Sequence, residues 1–166
     1  MPASTRFLLL PFGAEFGTAT FPGLTLVNST VQTPVLAYDG TTAESAYWTI
    51  VAPQLMTGGW SCTLTCIFPT ATSGTAIMDV AVQAITTGDA LNIITTNSFD
   101  TTNTSTTITA PGTVGNVVQN TVTLTNVDSI AIADYVRVRI SRAPTNGSDT
   151  IATDLYLVCA ELRDGN

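Results

Sequence analysis

Side chains that move protons near neutral pH are almost absent from this sequence. It contains no histidine and no lysine, and its only cations are Arg6, Arg137, Arg139, Arg142 and Arg163. A Ser or Cys nucleophile needs a neighbouring base, so triad and dyad arrangements are reduced here to carboxylate substitutes. Glycoside hydrolysis needs two carboxyl groups converging on a cleft. Glu15, Glu44, Glu161 and nine Asp are available, but no spacing singles out a pair. The inventory points away from an enzyme. Asp149 and Asp154 follow Asn146-Gly147-Ser148 and could offer oxygens to calcium, yet the spacing matches no calcium loop, and a turn capped by Asn and Asp side chains accounts for it. Three Asn-X-Ser/Thr triplets, at 28–30, 103–105 and 146–148, are expected by chance in a chain so rich in Thr.

Cysteine chemistry is equally limited. Cys62 and Cys66 fall in an alternating segment, so they share one face about 13 Å apart, beyond the ~7 Å reach of a disulfide. Cys159 could face either of them across a strand pair, and the odd count leaves at least one free thiol. A zinc site would need a fourth ligand. No cofactor or metal is expected.

What remains is chemistry of adhesion. Phe7, Phe12, Phe16 and Phe21 recur every four or five residues among Pro11, Gly13, Gly17, Pro22 and Gly23. That pattern is too broken for a helix and too apolar to float free, so it reads as an extended arm lying along this domain's sheet or a neighbour's. Arg137 and Arg139 lie on one polarised segment with Arg142 at its end, and either pair with Asp of adjacent strands or meet an acidic partner surface. A sugar could stack on an exposed Trp48, Trp60 or Tyr47; Trp48 alternates with Ile50, so core burial is expected for it, whereas Trp60 beside Gly58-Gly59 is a candidate for exposure. A net charge of −7 repels a phosphate backbone, which removes nucleic acid as a partner. The apolar run Phe7 to Phe12 falls far short of the ~20 residues of a membrane span. It is also short for a secretion signal, so a soluble protein made without export is expected.

The elements that must position these residues are strands. Apolar side chains alternate with polar ones in Ser61 to Phe68, Met78 to Gln83, Val118 to Thr125 and Val136 to Ser141, each bounded by turn formers. Leu155 to Leu162 and Tyr47 to Ala52 are apolar on both faces, as strands covered on their second side would be. Leu24 to Val27 and Val35 to Tyr38 bring the count to about eight, with a ninth candidate at Thr106 to Thr109. An all-β, single antiparallel sandwich is expected over residues 35–166, preceded by the arm with one short strand over residues 1–34. The stretch Thr95 to Thr107 around Phe99 is the longest candidate loop. Thr dominates the composition, and its hydroxyl keeps a pleated face wet without charge, which suits faces lying against other protein.

The segments "YWTIVAPQLMTGGW", "VAVQAITTGDALN", "NSFD", "TVTLTNVDSIAIADYVRVRISRAP" and "SDTIATDLYLVCAELRD" carry a resemblance that spans the C-terminal two-thirds. In order and phrasing the chain resembles small β-sandwich structural proteins of tailed bacteriophages, particularly jelly-roll decoration, or cement, proteins. The resemblance implies a homotrimer bound to major capsid protein on the capsid exterior, stabilising the shell, with no cofactor, no catalytic residue, no nucleic acid and no membrane. Related sandwiches also occur in tail and fibre components. A carbohydrate-binding β-sandwich is the alternative from another class.

Overall fold

In the computed structural model, residues 5–165 are described except 29, 57 and 92. Residues 1–4 of the expected arm, with Ser29, Thr57 and Asn92, therefore lie outside it. Among the described residues thirteen strands occur: β1 (Arg6–Leu9), β2 (Glu15–Phe16), β3 (Gly23–Val27), β4 (Thr33–Tyr38), β5 (Ser45–Val51), β6 (Ser61–Ile67), β7 (Thr75–Ala76), β8 (Met78–Ile85), β9 (Asn103–Thr104), β10 (Ile108–Thr109), β11 (Val117–Thr123), β12 (Tyr135–Arg142) and β13 (Leu155–Arg163). Among the described residues helix is confined to one 3-10 turn at Pro11–Gly13.

The first sheet runs β11-β6-β13-β4-β3 with β1 also on β13, and the second runs β2-β5-β12-β8-β9. Strands β7 and β10 form a separate pair. Taken in chain order, β4, β6, β11 and β13 belong to the first sheet and β5, β8, β9 and β12 to the second, in the interleaved order of an eight-strand jelly roll. The eight strands expected from alternation are all present, and the ninth candidate is β10. Strands β1, β2, β7 and β9 were invisible to periodicity because two to four residues are too few to alternate legibly.

The two inner faces meet in one core. Ala46 and Trp48 of β5, Val136, Val138 and Ile140 of β12, and Cys62, Leu64 and Cys66 of β6 are buried there. Trp48 donates its indole N–H to the Leu10 carbonyl at 2.9 Å, which pins the chain ahead of the 3-10 turn. Tyr38 donates to the Ile140 carbonyl at 3.0 Å, tying one sheet to the other, and burial holds its phenol well above the ordinary range. Gly40 is forced by close approach, since a Cβ there would lie 2.3 Å from the Ala152 carbonyl carbon.

Strand β13 explains its own two-faced apolarity. The register with β6 shifts between Leu157 and Cys159, so Leu155 and Leu157 point inward before the bulge and Ala160 and Leu162 after it. A one-residue bulge swaps which parity faces the core. All three cysteines are free, Cys159 included, and burial pushes the Cys62 and Cys66 thiols up to about 12. On the outer face of the first sheet, Thr63 and Thr121 hydroxyls meet at 2.8 Å and the Gln119 amide donates to Thr65. This is a neutral polar ladder of the kind expected from the composition.

Candidate functional site

Carboxylates are largely spent on backbone turns. Asp39 accepts from the Thr41 hydroxyl and from the Thr41 and Thr42 N–H groups, all at 2.7 Å, which holds its carboxyl at about 2. Glu44 accepts from the Asp39 N–H, and partial burial raises it from its ordinary value. Asp100 accepts from the Asp128 N–H, and Asp128 from the Ala84 N–H. Asp149 accepts from the Ile77 N–H at 3.0 Å and binds both ends of the Arg142 guanidinium at 2.9 and 3.0 Å. It is part of a buried ion pair, not of an open loop. Among the described residues no cluster of three potential metal ligands occurs.

The parity of β12 separates the three arginines. Even-numbered residues face the core, so Arg142 continues the inner face at the end of the strand and is buried. It donates to the carbonyls of Thr153 and Ile151 besides its pairing with Asp149. Arg137 and Arg139 occupy the outer face. Neither pairs with an Asp; among the described residues the ion pairs are Arg6–Glu161 and Arg142–Asp149. Arg137 donates instead to Asn97, and Arg139 to Thr102 at 3.4 Å.

Strand register fixes what surrounds these arginines, because directly opposed residues share a face. One row reads Glu15, Tyr47, Arg139, Ala81; the next reads Thr49, Arg137, Gln83. The long polar stretch ahead of β9 folds back over these rows. Phe99 places its ring 5.8 Å from that of Tyr47, with the Arg137 guanidinium 5.7 Å and 5.8 Å from the two centroids and that of Arg139 5.2 Å from Phe99. Glu15 accepts from the Thr49 hydroxyl at 2.8 Å, and the Tyr135 hydroxyl lies 3.4 Å from the Thr49 hydroxyl. The result is an aromatic and cationic face, half-exposed, on a protein of net charge −7. Sequence alone flagged Arg137 and Arg139, and Tyr47 as a possible sugar platform, but gave no site role to Gln83 or Phe99; the outward parity that Gln83 shares with the arginines' strand partners was the available signal.

The expected phenylalanine series divides. Strand β1 pairs with β13, β2 with β5 and β3 with β4, so the N-terminal stretch lies along this domain's own sheets. Phe7 is half-buried against the core. Phe12, at 70% exposure, is the most open of the four. Phe16 and Phe21 are exposed and touch each other, ring centroids 5.5 Å apart. In the same stretch of chain Leu8, Leu10, Leu24, Leu26 and Val31 are also exposed, so residues 8–31 hold eight of the sixteen large exposed apolar side chains among the described residues. Six residues link β2 to β3, and the Ser45 N–H donates to the Thr20 carbonyl between them, which keeps both outer strands on one flank.

Trp60 corrects an expectation. It is only 5% exposed and belongs to the core, so it offers no platform to a sugar. Its carbonyl accepts from the Leu124 N–H, and the strand start that follows Gly58-Gly59 carries the ring inward.

No protein-family model matches the sequence, and no curated protein does. Solved structures do match. A carbohydrate-binding module of family 35 from Cellvibrio japonicus Abf62 is 14% identical, with 96% of this chain and 98% of that chain covered, at a TM-score of 0.49. A family 61 module, TmCBM61, solved with β-1,4-galactotriose, is 6% identical over 99% and 90%, at 0.40. The enzymatically active domain of tailspike protein 4 from bacteriophage CBA120 is 11% identical over 95% of this chain and 19% of that chain, at 0.38. At identities and TM-scores this low, these likenesses carry no argument about ligand, location or function.

Proposed function

We propose that the chain is a non-catalytic virion structural protein of the decoration type, attached to a protein shell through its N-terminal flank. The observation that carries this reading is the band of exposed apolar side chains over residues 8–31. Exposed apolar surface concentrated in one stretch of chain marks a place where other protein sits. Its setting agrees: charged residues make up 10% of the chain, so few ions need desolvating when such a surface closes. A protein that binds the assembled shell and not its dispersed subunits stabilises the shell by mass action. Three linked copies would multiply a modest affinity through effective concentration. Electron cryomicroscopy of purified particles tests the proposal. Density on the capsid exterior at threefold or quasi-threefold positions is expected, and density confined to the tail would overturn it.

A second reading, carbohydrate binding, is favoured by one specific observation: the Tyr47, Phe99 and Arg137 cluster on the outer face of the second sheet. Aromatic rings with flanking hydroxyl and amide groups suit a pyranose, whose C–H face stacks while its hydroxyls find partners. Titration with a glycan panel by calorimetry tests it, and no heat from any glycan would remove it.

A further inference from the structure

We propose that the outer face of the second sheet is a site for a carboxylated sugar, a hexuronic or sialic acid unit. This deepens the carbohydrate-binding reading and rests on it. Arg137 and Arg139 bring two of the chain's five cations to adjacent rows, and among the described residues no carboxylate is paired with either. Each guanidinium has five N–H donors. Arg137 uses one on Asn97, Arg139 makes one long bond to Thr102, and the Nε of Arg139 is buried without a partner.

Directly opposite Arg137 lies Gln83, 1% exposed, with neither its amide nitrogen nor its amide oxygen hydrogen-bonded. Buried amides are almost always satisfied, so a donor and an acceptor left open beside two guanidinium groups that have no carboxylate partner among the described residues point to a polar ligand. Glu15, the carboxylate in the row of Arg139, accepts from Thr49 and forms an ion pair with neither arginine.

The chemistry selects the ligand. A carboxylate fits the guanidinium fork with two parallel hydrogen bonds, which makes it the natural partner for Arg. The rings of Tyr47 and Phe99 offer an apolar surface for a pyranose, and Asn97, Thr49 and Thr102 offer hydroxyl and amide partners at its rim. An acidic peptide has no flat C–H face for the rings to meet. A nucleic acid would bring many phosphates to a protein of net charge −7.

Isothermal titration calorimetry at low salt, on the whole chain, tests the site with trigalacturonic acid and its methyl ester, sialyllactose and lactose, and a hexaglutamate peptide. Each acid is expected to bind at least about tenfold more tightly than its neutral counterpart. Arg137→Gln should weaken the acid by about tenfold, and Arg139→Gln provides the same test if the first variant does not fold. Gln83→Leu should also weaken binding while leaving the melting temperature unchanged or raised, since it gives up no native hydrogen bond. Ester and acid binding alike would overturn the carboxylate inference and keep the carbohydrate reading. Silence from every sugar would end both, and binding of hexaglutamate alone would replace them with a peptide surface.

Discussion

Phe12→Ser separates attachment from folding more cleanly than any other substitution. An aromatic side chain buries roughly 150–250 Å² when fully covered. At 70% exposure Phe12 therefore has about 140 Å² left to give to a partner, worth ~3.5 kcal/mol at ~25 cal/mol per Å². Ordering the side chain at an interface takes back about 0.5–1.5 kcal/mol, leaving roughly 2.5 kcal/mol per site, or a fifty-fold to hundred-fold loss of affinity. The fold should hardly register the change, because substitutions at exposed positions usually stay within about 0.5 kcal/mol. Co-sedimentation of wild type and variant with particles stripped of the protein measures the first quantity, and thermal unfolding the second. The expected result is an occupancy curve displaced to higher concentration with the melting temperature held within about 2 °C. Superimposable occupancy curves would show that the flank is not the attachment surface.

Four further outcomes follow from the geometry. Asp149→Asn leaves the buried Arg142 charge uncompensated and should cost about 3–5 kcal/mol, read by denaturant unfolding. Gly40→Ala drives a Cβ into the Ala152 backbone and should destabilise by more than about 2 kcal/mol, read as a lower melting temperature. Native protein at pH 8 should leave Cys62 and Cys66 unlabelled by iodoacetamide, because burial holds both thiols at about 12, whereas unfolded protein should label all three cysteines. Glu44 and Asp39 act with opposite sign on stability. The raised Glu44 carboxyl stabilises the fold while protonated, and that contribution is lost as pH rises through its folded value. The depressed Asp39 contribution is whole above the ordinary carboxylate range and lost as pH falls toward about 2. Glu44→Gln keeps the acceptor for the Asp39 N–H, so it should raise the melting temperature slightly at pH 7, with the gain vanishing at acid pH.

Sequence legibility followed element length. Alternation over six or more residues located β6, β8, β11 and β12, because a long strand with one covered face repeats its pattern often enough to be read. Strand β13 was located without its bulge, since Leu155, Leu157, Ala160 and Leu162 change parity at a point that no single residue type marks. Arg142 was grouped with its outward neighbours because charge argued for solvent, yet β12 keeps its parity to the last residue and Asp149, seven residues on, follows it inside. Trp60 shows the converse: a turn signal at Gly58-Gly59 marks where the chain bends, not which way the next ring points. In the 126–134 connection Ile130 packs against the core while Ile132, two residues on, is exposed, a difference that residue type does not mark. Tyr47, Gln83 and Phe99 come together only through register and a returning loop, and both are long-range facts.

Both indoles of this protein sit inside one core, Trp48 anchored to the Leu10 carbonyl and Trp60 closed over at the start of β6. Its intrinsic tryptophan emission is therefore a gauge of whether the two sheets remain clasped. A guest settling on Tyr47 and the arginines outside would leave that light essentially unchanged, and a drop or a red shift during a titration would report the sandwich opening.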